Sequence, residues 1–351
     1  MSEDTEYMRA ALGVARRGLG NVAPNPSVGC VLVKKGVIIG RGRTAASGRP
    51  HAEAEALAQA GAAAKNATAY VTLEPCAIAG RDGPCAGALV QAGVKRVVAG
   101  CIDPNPVVNG RGIEILREAG IEVVTGVLET ECTALNRGFF LRITEKRPLV
   151  TLKMALTGDG MIAPASGKRE WITGDMARRH VHLMRSQHDA ILTAIGSVLN
   201  DDPLLTTRLG GFTHKPIRII LDSKLEMPIN SQIMQSVDDA PVWIFHTERN
   251  PSQYEKLGAR VFNVGRSPEA ILKTLAAHGV TRVFFEGGGT VLQEFVKEGI
   301  GDRFLLYKNP ALRWPGGRAL NFPEIQAKLG LKLTETRVLG EDLLEIYEAS
   351  A

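Results

Sequence analysis

The chain has 351 residues, 44% hydrophobic and 23% charged, with a formal net charge of +5; this is apolar material for two cores and argues for two domains rather than one. No apolar run approaches a membrane span, and no dense Lys/Arg stripe is interleaved with aromatics, so neither a membrane nor nucleic acid is expected as a partner, while anionic small molecules suit the mild charge. Five cysteines without a secretion-type leader do not make a disulfide framework, and the acidic start Ser2-Glu3-Asp4 leads us to expect a cytoplasmic protein.

In chain order, Tyr7, Met8, Ala11, Leu12 and Ala15 recur at helical spacing and predict a helix over 5–19, broken by the two prolines and two asparagines of 21–26. Residues 28–33 and 37–39 read as a hairpin around Lys34-Lys35-Gly36. A helix over 51–61 follows Pro50, then a buried strand at 69–73 and a helix at 85–93. Further strands at 96–99 and 121–124 flank a helix at 113–119, which gives an αβα layered domain. The charged tract Glu145-Lys146-Arg147-Pro148 marks the junction, so the expected domains are 1–147 and 148–351. Beyond it, strands are predicted at 149–155, 190–193, 217–221, 242–246 and 283–286, with helices at 175–187, 268–278 and 290–297. Such alternation implies a second α/β domain with ligands at strand ends.

One pair of runs carries chemistry: Pro50-His51-Ala52-Glu53, and Glu74-Pro75-Cys76 continuing to Pro84-Cys85. Singly, His51 reads as a helix cap and each cysteine as a small buried residue. Jointly, one imidazole and two thiols make three ligands of a catalytic zinc, with Glu53 free to move protons. His-x-Glu followed by Pro-Cys is the pattern of the zinc nucleobase deaminases. The usual Pro-Cys-x-x-Cys is interrupted, since Ala79 stands where the second thiol belongs, and Cys85 serves instead. Cys30, Cys101 and Cys132 lack companion ligands and read as core. Because a structural zinc needs no proton shuttle, Glu53 argues against a mere scaffold. In the second half, Glu286-Gly287-Gly288-Gly289-Thr290 reads as strand, glycine turn and helix, a setting for phosphate that is not Gly-x-Gly-x-x-Gly.

With Pro24-Asn25-Pro26-Ser27-Val28-Gly29, Gly83-Pro84-Cys85, Asp103-Pro104-Asn105-Pro106, Gly158-Asp159-Gly160, Trp171-Ile172-Thr173, Asp201-Asp202-Pro203 and Glu286-Gly287-Gly288, the chain resembles the bifunctional riboflavin-biosynthesis deaminase–reductases over nearly its whole length. The resemblance implies a cytidine-deaminase-like domain followed by a dihydrofolate-reductase-like one. The first would deaminate 2,5-diamino-6-ribosylamino-4(3H)-pyrimidinone 5′-phosphate with Zn2+ on His51, Cys76 and Cys85 and Glu53 shuttling protons. The second would use NADPH to reduce the ribosyl group of 5-amino-6-(5-phosphoribosylamino)uracil to ribityl.

Carried over residue by residue, the cofactor positions are Ala155, Trp171, Ser197, Asp201, Ser223, Gly288, Gly289, Thr290, Val291, Leu292, Gln293 and Glu294. Substrate positions are Arg169, Arg185, Leu205, Arg208 and Glu286, the arginines being suited to a phosphate ester. Asn25, Arg81 and Lys153 are further contacts, and a homodimer or homotetramer is expected. Departures fall around the deaminase site: Thr44 replaces a histidine, Ala77-Ile78 replaces Ser-His, and Asp82 replaces a threonine. Loss of these donors raises the alternative of a reductase whose zinc-binding deaminase domain has shifted or weakened substrate preference.

Overall fold

The computed structural model describes residues 2–77, 83–167, 170–211, 214–248 and 250–350. The chain divides into two compact units, Met1–Lys146 and Arg147–Ala351. Arg147 belongs with the second because its guanidinium donates to Asp302 Oδ2 at 2.8 Å and Oδ1 at 3.0 Å. The same carboxylate accepts from the Val150 N–H at 2.8 Å, which fixes the start of the first strand of that unit.

The first unit runs α1 (Glu3–Arg16), β1 (Gly29–Lys34), β2 (Val37–Arg43), α2 (Ala52–Ala60), β3 (Thr68–Val71), α3 (Cys85–Gln91), β4 (Arg96–Ala99), α4 (Arg111–Glu118), β5 (Glu122–Thr125) and α5 (Glu129–Thr144). Its sheet has the order β2-β1-β3-β4-β5. The hairpin partner β1 is antiparallel to both neighbours, whereas β3, β4 and β5 are parallel. Parallel strands need crossovers, here α3 and α4, and so β3 and β4 end on the same edge. That edge carries the site. Cys30 in β1 and Cys132 in α5 are fully buried, and Cys101 is 3% exposed just after β4.

The second unit runs β6 (Leu149–Thr157), β7 (Met161–Ala163), α6 (Asp175–Ser186), β8 (Ala190–Ala194), α7 (Ile195–Asp201), β9 (Ile217–Leu221), α8 (Gln232–Gln235), β10 (Val242–His246), α9 (Ser252–Lys256), β11 (Arg260–Asn263), α10 (Pro268–Ala277), β12 (Arg282–Glu286), α11 (Gly289–Lys297), β13 (Arg303–Asn309), β14 (Arg318–Ala319), α12 (Phe322–Leu329), β15 (Leu331–Leu339) and β16 (Asp342–Ala349). Nine strands form one sheet in the order β11-β10-β9-β8-β12-β6-β13-β16-β15. Period-two alternation sorts β6: Val150, Leu152, Met154 and Leu156 enter one core with Phe285 and Phe295. Thr151, Lys153 and Ala155 therefore face the opposite layer, where α6 packs. Strand β12 lies between β8 and β6, so the strand order reverses there, the place where open α/β sheets bind ligands.

Sequence periodicity marks no element beyond residue 297, yet β13, β14, α12, β15 and β16 follow. The apolar run of β13 is too short for periodicity to tell strand from helix. Strand β15 is an edge strand exposed along most of its length, so it carries no burial pattern. Among the described residues no helix is long and apolar enough to cross a membrane.

Candidate active sites

His51 is the residue before α2 and has extended backbone, which turns its ring away from the helix and toward the end of β3. Its Nδ1 lies 3.2 Å from Cys85 Sγ and 3.5 Å from Cys76 Sγ. The three ligand atoms are within 4.8 Å of one another. Tetrahedral zinc with bonds of about 2.1 and 2.3 Å requires ligand atoms roughly 3.6–3.8 Å apart, so the donor set fits that ion after the ring and the sulfurs part by a few tenths of an ångström.

Helix starts favour thiolates, and the sequence puts Cys85 at one. The structure sends the donors to the other sulfur. The Cys85 backbone N–H reaches Cys76 Sγ at 3.4 Å. A hydrogen bond from the Cys85 thiol and one from the His51 ring prevail over burial and bring Cys76 down to about 4. The same Cys76 bond, with burial, pushes the Cys85 thiol far up. Glu53, in the first turn of α2, is 3% exposed, and burial raises its carboxyl to about 7.

His51, Glu53 and Cys76 open on a cavity of about 300 Å³ that Asn25, Thr44, Asp103, Asn105, Phe139 and Arg142 also line. Glu74 organises its far side. Buried to 3% exposure, it accepts from the N–H groups of Asp103 at 3.2 Å, Gly110 at 2.9 Å and Gly112 at 2.9 Å. That ties the 103–112 segment to the strand end bearing Cys76. Glycine is required at 112, since a Cβ there would stand 1.8 Å from the Pro75 carbonyl oxygen. Glu74→Gln keeps the shape but removes an acceptor, at a cost of about 1–3 kcal/mol. Amide exchange at Asp103, Gly110 and Gly112 is expected to quicken about tenfold or more, and unchanged exchange would show the tie to be dispensable.

Of the expected deaminase positions, Asn25 lines the cavity, whereas Ile78, Ala79, Arg81 and Asp82 lie outside the described residues. Ala77 is half-buried beside Cys76. Thr44 is 2% exposed and committed to backbone: its Oγ1 donates to the Pro26 carbonyl and accepts from the Val28 N–H, both at 3.0 Å. Phe139 and Arg142 escape a motif-based reading. Their signal is the i, i+3 spacing on a helix whose start lacks a capping side chain.

In the second unit Lys153 and Glu286 stand opposite each other on adjacent parallel strands. Arg185, from α6, grips Glu286 with Nε–Oε1 at 2.5 Å and Nη2–Oε2 at 2.9 Å, and donates through Nη1 to the Thr206 carbonyl at 2.9 Å. Burial opposes the Glu286 charge, but Arg185 outweighs it and holds the carboxyl below the usual range. Burial likewise lowers the Lys153 ammonium, whose Nζ sits 5.8 Å from the Tyr307 ring centre. Leu205 is buried at φ 51°, and Arg208, exposed, donates its N–H to His182 Nδ1 at 3.3 Å. His182, Thr206 and Tyr307 join the cluster without a sequence motif.

Gly288 precedes α11 and Gly289 opens it. The Leu292 N–H already bonds the Gly288 carbonyl at 3.4 Å, so the free donors end at Val291. Thr290, Gln293 and Glu294 are exposed and Val291 half-buried, while Leu292 packs in the core. Ser197 Oγ lies 4.0 Å from where a Gly288 Cβ would stand, and Arg318 Nη2 lies 3.5 Å from the equivalent point on Gly289. Ala155 is half-buried on β6, and Asp201 ends α7. Trp171 is 64% exposed with the Arg178 guanidinium 5.0 Å from its ring centre. Ser223 follows β9 and accepts from the Thr247 N–H at 3.0 Å. Arg169 lies outside the described residues.

Residues 148–344 match the family model of the RibD C-terminal domain, and residues 1–101 that of the cytidine and deoxycytidylate deaminase zinc-binding region. The chain is 40% identical to the riboflavin biosynthesis protein RibD of Aquifex aeolicus, with 98% of each covered. It is 38% identical to that of Escherichia coli, with 97% of this chain and 98% of the relative covered. Among solved structures, Acinetobacter baumannii RibD has a TM-score of 0.90 at 38% identity, with 99% of both chains covered. A Thermotoga maritima protein described as a diaminohydroxyphosphoribosylaminopyrimidine deaminase/5-amino-6-(5-phosphoribosylamino)uracil reductase has a TM-score of 0.88 at 34% identity, with 99% of both covered.

Proposed function

The chain belongs to the RibD family of bifunctional riboflavin-biosynthesis deaminase–reductases, and from that premise we propose which residues perform each reaction. The first unit deaminates the phosphorylated diaminopyrimidine and the second reduces the ribosyl group of the resulting aminouracil with NADPH. The observation that carries the reading is the meeting of His51, Cys76 and Cys85 where His51, Cys76 and a buried Glu53 line one cavity.

His51, Cys76 and Cys85 would hold zinc, a Lewis acid that would make a water nucleophilic at neutral pH. Glu53 takes the proton of that water and passes it to the amino group leaving the ring as ammonia. Its burial suits both halves of the transfer, because a carboxyl raised toward neutrality accepts and returns a proton readily. Glu74 holds the 103–112 wall against the strand end bearing Cys76.

In the second unit NADPH supplies the reducing equivalent. The turn Gly288–Val291 offers N–H donors to a cofactor phosphate, with Arg318 beside them. Arg185 and Arg208 frame the substrate side, and Lys153 and Glu286 face the sugar. Among remaining cofactor contacts the proposal includes Ala155, Trp171, Ser197, Asp201, Ser223, Gln293 and Glu294, while Leu292 packs in the core and serves the turn from behind; among substrate contacts it includes Leu205, Asn25, Arg81 and Arg169. It also includes a cytoplasmic homodimer or homotetramer that acts on neither nucleic acid nor membrane.

Chelation tests the division of labour. Stripping zinc is expected to abolish ammonia release while NADPH oxidation, started from the aminouracil phosphate, continues at its original rate. Readdition of Zn2+ should restore the first activity. Ammonia release that survives verified removal of the metal would end the assignment of the first unit.

A further inference from the structure

The cavity above His51 and Glu53 has one wall that the metal site does not explain. Helix α5 turns Phe139, Arg142 and Ile143 toward it, an i, i+3, i+4 set on one helix face. Cys132, Leu135 and Leu141 of the same helix are buried. Arg49 lines the exposed rim close to His51.

The polar groups in this space differ in charge and in what holds them. Glu74 is consumed by three backbone N–H groups, and Thr44 by two backbone partners. Asp103 accepts from the Asn105 N–H at 2.8 Å and, as an anion, repels a phosphate. Among the described residues lining the cavity, Arg49 and Arg142 are the ones with a permanent positive charge. A phosphate monoester carries about −1.5 to −2 charges at neutral pH, and here it must enter a space that already holds buried carboxylates. Guanidinium meets such a group through two parallel N–H bonds.

We propose that Arg142, seconded by Arg49, receives the 5′-phosphate of the deaminase substrate, with Phe139 as the adjoining apolar wall, and so sets the preference for the phosphorylated pyrimidine. The proposal rests on the deaminase reading given above. Helix α5 lies beyond the residues matched by the zinc-binding region, 1–101. The hydrolytic machinery and the discrimination between phosphorylated and dephosphorylated pyrimidine thus come from different stretches of the unit.

The test uses the zinc-loaded full chain and follows ammonia release from the phosphorylated diaminopyrimidine and its dephosphorylated form. Arg142→Gln is expected to raise KM for the phosphorylated compound about tenfold or more, leaving kcat and the KM of the dephosphorylated compound near their original values. Arg142→Lys should recover part of the loss. In Arg49→Gln/Arg142→Gln the two KM values should converge. NADPH oxidation by the same preparations reports that the chain is folded. Equal changes for both compounds, or an unchanged KM ratio, overturn the proposal while the deaminase reading stands. Absence of ammonia release from the wild type refutes the deaminase reading itself, and the proposal with it.

Discussion

Glu53→Gln is expected to bind zinc stoichiometrically and to release ammonia about 10²- to 10⁴-fold more slowly than wild type. Glutamine has nearly the same shape and fits the site, where Glu53 is 3% exposed, but it has no proton to accept or return. The three ligand atoms belong to other residues, so metal content should not change. Supplied with the aminouracil phosphate, the variant should oxidise NADPH as wild type does, because Lys153, Glu286 and Arg185 are untouched. Metal analysis alongside the two separate rate measurements checks this. A rate within tenfold of wild type would remove Glu53 from the chemistry, and loss of zinc would make it a ligand instead.

The second large effect lies in the other unit. Arg185→Leu leaves the Glu286 carboxylate buried without its partner; the side chains are 11% and 12% exposed. Breaking such a pair costs about 3–5 kcal/mol, and reduction should be lost as well. The pH dependence has a definite sign. In wild type Arg185 depresses the Glu286 pKa, so this contribution is complete above the ordinary carboxylate value of about 4.3 and fades as pH falls through the lower folded value. In the variant burial is opposed only by the weaker attraction of Lys153 and His182, and the pKa rises. The variant is then penalised at neutral pH and recovers as acid protonates the carboxyl. Denaturation curves should therefore converge on going from pH 7 toward about pH 4. Adding Glu286→Gln to Arg185→Leu should restore stability without restoring reduction. Parallel curves at every pH would mean that the pair carries no coupled charge.

Those two expectations draw on different kinds of information. Glu53 and the three metal ligands are legible in sequence because zinc chemistry imposes residue types at close spacing. The sheet strands that position them are legible too, since β3 and β4 are short apolar runs between turns. Arg142 is not: its relation to His51 is created by folding, and helix α5 carries a weak apolar stripe. His182 and Tyr307 are hidden for a similar reason, being brought to Lys153 by strand register and helix packing. Which sulfur gathers the N–H and S–H donors is not legible either, because chain order assigns them to neither; folding sends them to Cys76. Thr44 shows the converse. Where the family resemblance leads one to expect an imidazole, its hydroxyl braces the loop that carries Asn25.

The position of β12 bears on how this protein emerges from the ribosome. Strand β6 is made first in its unit, but its two neighbours, β12 and β13, come near the end. Until then its backbone lacks both ladders, and Lys153 waits for most of the unit's translation before Glu286 arrives. The earlier unit, whose β1 finds β2 across a tight hairpin, can be complete while the later one is still an unfinished sheet. Nascent chains stalled before β12 should thus display a long apolar edge for chaperones to shield.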